Sequence, residues 1–163
     1  MDTLVLDKGI GTLNTHKDEW ARLPITEKIP LFQGVSKKTA EVAENWVAVA
    51  VNAKSIPESS PLVGEEWASG PWALIYGVES MVGSLQSLDK GKNPPIGKVR
   101  TMSSGQVIAD IFPYNIYQRL LLSGIRAEVW MQDDVTEDNF TENVAKVYKS
   151  DDQSGQVSLV LGG

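Results

Sequence analysis

The stretch Gln156-Val157-Ser158-Leu159-Val160-Leu161-Gly162-Gly163 restricts the fold of this chain more than any other. A polar lead-in at Ser154-Gly155 gives way to a nearly unbroken apolar run that meets two glycines. Runs of this kind are typical of a strand buried on both faces, as in a parallel sheet, and less so of a half-wet antiparallel one. A buried strand ending on Gly-Gly is also how many α/β cofactor sites begin. Glycine lets backbone approach a ligand, and the helix that follows offers its N-terminal N–H groups. Two readings stay open on these residues: a simple C-terminal strand, or a chain that stops at the mouth of a nucleotide site.

At 163 residues the chain suits one domain with a real core. Its formal net charge of −6 argues against nucleic acid or an anionic membrane as partner, since both select for basic patches. No run approaches the roughly 20 apolar residues that span a bilayer. Met1 to Gly11 carries Asp2 and Asp7 and lacks the basic-then-apolar layout of a signal peptide. The absence of cysteine excludes disulfides, thiolate metal sites and a Cys nucleophile within the chain. A cytoplasmic protein is expected.

Along the chain, Thr3-Leu4-Val5-Leu6 reads as a short strand, followed by a Gly9/Gly11 loop and a turn or two of helix over Lys17 to Leu23. A helical region opens at Pro24, with Glu27 complementing the helix dipole, and Pro30 and Gly34 predict a kink or break. Ser36 to Lys54 is the most regular helix. Val42, Trp46, Val49 and Ala53 form one stripe, and Ala43, Val47, Ala50 and Val51 widen it, which predicts a helix sandwiched between neighbours. Ser60 and Pro61 start the next helix, which breaks at Gly70-Pro71 and continues through Leu74, Ile75, Val78, Val82 and Leu85. Trp46 and Trp72 are expected to lie buried between these two helical regions.

After the Gly-, Lys- and Pro-rich linker from Asp89 to Gly97 the period changes from helical to alternating. The runs 98–102 and 106–112 flank Ser103-Ser104-Gly105 and read as a β-hairpin closed by Pro113. A helix over Ile116 to Gly124, a strand over Ala127 to Met131 and a helix over Glu137 to Lys149 with Thr136 as N-cap follow. The fold class is α+β and mostly helical, a single unit. Residues 1–22 form an arm, 23–88 are helical, 98–112 a hairpin, and 116–163 mixed α/β ending in the buried strand.

Each candidate for chemistry has an ordinary structural use. His16, the only histidine, reads as a loop or cap residue with no second ligand near it. Glu65 and Glu66 are adjacent on a helix and do not face each other, so a solvated first turn outweighs acid–base work. Trp67 and Trp72 suit packing better than a sugar-stacking platform. Asp133, Asp134, Glu137 and Asp138 lack the alternating ligands, central glycine and terminal glutamate of a calcium loop, and carboxylates at a helix start are ordinary. No phosphate-binding fingerprint, catalytic triad or His-rich metal pattern occurs. The residues point to no catalytic group and no metal site.

The order of these elements resembles the N-terminal part of the aldehyde dehydrogenase superfamily, with Leu23 to Lys28 and the two helices after it similar to that family's opening helical pair. Ala53-Lys54 stands where the family's second helix ends in an Ala-Lys or Gly-Lys element. Ser60 to Leu74, Ile125 to Gln132 and Val157 to Gly163 resemble a branch of uncharacterised bacterial members related to acyl-CoA reductases. The resemblance implies that the last run is the first strand of an incomplete α/β dinucleotide-binding fold, with Gly162 and Gly163 reaching the cofactor, NAD or NADP. The family's thiol nucleophile, oxyanion-hole Asn and general base lie further along its sequence. The chain is accordingly expected to be an N-terminal fragment of an NAD(P)-dependent oxidoreductase acting on an aldehyde or acyl thioester. Alone it would be inactive, bind no cofactor and self-associate. The alternative is a stand-alone, non-enzymatic helical interaction module.

Overall fold

The structure, a computed structural model, describes residues 3–160. Helix α1 (Thr3–Arg22) leads through Pro24 into α2 (Ile25–Ala53), and α3 (Leu62–Trp67) passes through a kink within Ala68–Trp72 into α4 (Ala73–Asp89). A three-stranded antiparallel meander follows, β1 (Val99–Thr101), β2 (Val107–Phe112) and β3 (Ala127–Trp130), in the order β1-β2-β3. Helix α5 (Ile116–Leu121) bridges β2 and β3, and a single turn, α6 (Phe140–Asn143), comes after β3. The fold is α+β and mostly helical.

The two ends of the chain depart from the sequence reading. Residues 3–6 are not a strand, and no loop forms at Gly9 and Gly11: one helix runs from Thr3 to Arg22. A strand needs a neighbour to take its N–H and C=O groups, whereas a helix satisfies them locally, and among the described residues no strand pairs with this segment. At the other end, residues 153–160 form no strand, and Leu159 and Val160 are 64% and 88% exposed. The segment leans on α1 instead. The Gly155 N–H donates to Asp18 Oδ1 at 2.8 Å, and the Lys17 backbone fills the space where a side chain on residue 155 would stand. Leu161, Gly162 and Gly163 lie outside the described residues.

Helix α2 runs unbroken past Pro30 and Gly34. Pro30 lies in the second turn, and the carbonyl that its missing N–H would have served belongs to Thr26, an exposed residue. The rest of the helix is held against α4 through Ser36, Thr39, Ala43, Val47 and Val51, with Val82 and Leu85 buried on α4. The burial covers one face only. Val42 and Val49 are exposed, as are Trp46 (40%) and Trp72 (51%), so neither the sandwiched helix nor the buried tryptophan pair forms. Trp46 lies over Gly70 at the kink, and Trp72 stacks on Tyr76 with ring centroids 5.2 Å apart.

The joint between α1 and α2 is polar at its centre. The Lys28 side chain is buried, donates from Nζ to the Ala21 carbonyl at 2.9 Å and lies over the rings of Trp20 and Tyr148. It serves a carbonyl that the last turn of α1 leaves without an internal donor.

The hairpin forms where the alternation places it, with Arg100 opposite Ile108 and a turn closed through Gly105 at φ +92°. A second core sits on one face of the sheet, where Val107 and Ala109 of β2 meet Val135 and Phe140. That core also explains why 137–149 is not one helix. Thr136 and Asn139 exchange hydrogen bonds at a helix start, but the chain turns at Ala145 (φ +54°) after Phe140 and Val144 have entered the core. The turn lets Lys149 Nζ reach the Thr141 carbonyl and Asn93 Oδ1, both at 2.8 Å.

Candidate functional site

A cavity of about 520 Å³ lies between α4, the sheet and α6. Alternation along the strands aims Ala109, Ile111 and Val129 into it, and Met131 just after β3 joins them. Phe140 and Val144 close one side, and Pro94-Pro95-Ile96 of the linker another. The opposing wall is a stripe along α4, Tyr76, Glu79, Ser80, Gly83 and Ser84, at the spacing of one helical face. The Ser84 hydroxyl donates to the Ser80 carbonyl at 3.0 Å, which hides part of that wall's polarity.

Gln118 fixes the polar end. Its backbone N–H donates to the Asn115 side chain at 2.9 Å, which caps α5. Its side-chain oxygen accepts from the Tyr114 N–H at 2.9 Å, and its Nε2 donates to Tyr76 Oη at 2.7 Å. The buried amide thus occupies a lone pair of Tyr76 and leaves the phenolic proton available. Glu79 is the one charged side chain among the lining residues, and it has neither an ion-pair nor a hydrogen-bond partner among the described residues.

The opposite face of the sheet carries an ion network. Arg100 donates to Asp110 at 2.6 Å and to Glu128 at 2.5 Å, and Arg126 approaches the same two carboxylates at 3.7 and 3.5 Å. The hydrogen bond from Arg100 holds the Asp110 carboxyl below its usual range, and Asp110 and Glu128 in turn raise Arg100. The guanidiniums occupy the oxygens of both carboxylates, which are structural partners here. The cluster is a clamp across three strands.

Other candidates resolve as structural. His16 sits within α1, not in a loop or cap, with Nδ1 3.0 Å from Glu19 Oε2. Glu66 is not solvated: it is buried and accepts from Lys54 Nζ at 2.7 Å, tying the end of α2 to α3, while Glu65 is exposed. Trp67, like Trp72, is only partly covered, at 40% exposed. Glu137 accepts from the Thr101 hydroxyl at 2.5 Å and fastens the acidic segment to the hairpin. Among the described residues no group of three His, Cys, Asp or Glu side chains is placed to hold a metal. Burial pushes the Lys28 ammonium below its ordinary range, but its carbonyl and ring partners are those of a tie between helices.

The apolar side of α4, Leu74, Ile75, Val78, Val82 and Leu85, dominates its sequence pattern and does not reveal the cavity. The signal was the complementary stripe of small and polar residues from Tyr76 to Ser84, whose meaning depends on what faces it. Gly162 and Gly163, the expected cofactor contacts, are outside the described residues. No helix among the described residues is long and apolar enough to cross a membrane. Compared with models of protein families, with curated proteins and with solved structures, the chain has no match.

Proposed function

We propose that this chain is a scaffolding and oligomerisation segment of an NAD(P)-dependent, aldehyde dehydrogenase-like oxidoreductase, and that it is inactive alone. The observation that carries the scaffolding role is the inverted polarity of α5. That helix buries Gln118 and presents Ile116, Tyr117, Leu120 and Leu121 to water, each about three-quarters exposed. Four large apolar side chains on one short surface helix mark a surface that another protein surface covers. The resemblance at Ser60–Leu74, Ile125–Gln132 and Val157–Gly163 supports the enzyme class, and the order of helices followed by hairpin fits it. In the parent reaction a thiolate attacks an aldehyde or acyl thioester and hydride passes to or from the nicotinamide. This chain holds no cysteine for that step. We place it in the cytoplasm, where disulfides are rare and a chain without cysteine forgoes nothing.

Sequencing the coding DNA beyond the Gly163 codon tests the reading. An open frame encoding the rest of a nucleotide fold and, further on, a cysteine supports it, and an immediate stop overturns it. The purified chain is expected to bind neither NAD nor NADP in calorimetric titration. Two glycines supply no ribose acceptor or apolar walls. A dissociation constant below about 100 μM, tighter than roughly −5.5 kcal/mol, contradicts this.

A second reading, a stand-alone helical interaction module, is favoured by one observation. Residues 153–160 are tied to α1 of their own chain through Gly155 and Asp18, and do not present a strand to a missing sheet. The immediate stop codon would select it.

A further inference from the structure

We propose that the cavity between α4 and the sheet binds a small apolar ammonium compound, its body among the aromatic side chains and its charge at Glu79. This stands apart from the reading above, because it uses neither the cofactor strand nor the apolar face of α5. The volume of about 520 Å³ falls in the range of small-molecule sites. Apart from the stripe on α4 and the amides of Gln118 and Asn143, the walls are mainly apolar and aromatic, and among the described residues no lysine, arginine or histidine lines them. A single carboxylate without a partner at such a cavity attracts a cation and repels an anion, and the formal net charge of −6 acts in the same direction at longer range. The rings of Tyr76, Phe112, Tyr114 and Phe140 line the same space, and ring faces attract ammonium groups. The Tyr76 hydroxyl, one helical turn before Glu79 and held by Gln118, offers a fixed polar contact at the same end.

Gly83 provides a clean test. It lines the cavity, sits within α4, and a Cβ there meets nothing within 4 Å. Gly83→Phe therefore fills the cavity from a helical position that tolerates a side chain. Calorimetric titration of the chain with naphthylethylamine, its neutral alcohol analogue naphthylethanol and the anion naphthylacetate reads the chemistry. The amine is expected to bind about tenfold or more tightly than the alcohol, the size of one partly exposed charge pair, with the anion weakest. Glu79→Gln, at an exposed position, should remove the preference for amine over alcohol, and Gly83→Phe should abolish binding of both. Circular dichroism and the melting temperature confirm that both variants fold. Equal affinity for amine and alcohol, or amine binding that survives Gly83→Phe in a folded protein, overturns the proposal. So does a Gly83→Phe variant that changes the mass in solution while the parent chain binds no amine, because the groove is then a contact between copies.

Discussion

The Gly97 N–H donates to the Asp110 carbonyl at 2.7 Å, and a Cβ on residue 97 would stand 2.9 Å from that same oxygen. Backbone meets backbone here, so the crowding cannot be relieved by rotating a side chain. Gly97→Ala is expected to cost about 1–2 kcal/mol in urea melts, overpacking outweighing the entropy that alanine saves in the unfolded chain. Asp110 also carries a pH dependence. Its carboxyl ionises more readily in the fold than its ordinary value of 3.8, chiefly through the hydrogen bond from Arg100. The folded state therefore binds fewer protons than the unfolded one near that pH. The stabilisation is fully present above 3.8 and is lost as pH falls through the depressed folded value. Melting temperature measured from neutral pH downward should fall on the acid side, and Asp110→Asn should flatten that limb while lowering stability at neutral pH. An acid limb identical in the variant would show that other carboxylates govern it.

At the scale of elements, α2 and α5 expose apolar side chains for different reasons. In α2 the stripe that packs on α4 runs through Ala43, Val47 and Val51, and the residues beside it, Val42, Trp46 and Val49, stay exposed. Trp46 keeps the contact with Gly70 but is 40% exposed, so its truncation forfeits only part of a buried tryptophan's contribution. Trp46→Ala is expected to cost about 1–2 kcal/mol by urea denaturation, against roughly 3–5 for a fully buried ring. A loss at the upper figure would mean that a second chain covers Trp46 in solution. In α5 the exposure follows from the cap. Asn115 and Gln118 bond to the backbone and to Tyr76, which turns the polar side inward and the leucines outward.

For the molecule as a whole, the exposed faces of α2 and α5 predict self-association. Light scattering coupled to gel filtration at micromolar concentration should give a mass above the 17.8 kDa of one chain. Replacing Leu120 and Leu121 together by Glu should return it to one chain, since two carboxylates cannot be covered without partners. The ion network on β1, β2 and β3 should leave the mass unchanged when Arg126 is replaced by Ala, because that side chain is 68% exposed at the rim of the network.

Local chemistry alone determined the helical character of residues 23–88, the linker from Asp89 to Gly97, the hairpin around Ser103-Ser104-Gly105 and the strand at Ala127. Each rests on a period or a turn residue that acts over a few positions. The break at Gly70-Pro71 was legible for the same reason, and it is a kink with Gly70 outside the helical region at φ −97°, ψ −107°. Tertiary structure decided the rest. Apolar runs at 3–6 and 157–160 carry strand propensity, but without a neighbouring strand the first took helix and the second lay against α1. Helical spacing from Glu137 to Lys149 yielded to the pull of Phe140 and Val144 into the sheet's core. The cavity exists only because α4 faces β2 and β3 across it. A stripe such as Tyr76-Glu79-Ser80-Gly83-Ser84 gains meaning from the wall opposite, and propensity does not encode which wall that is.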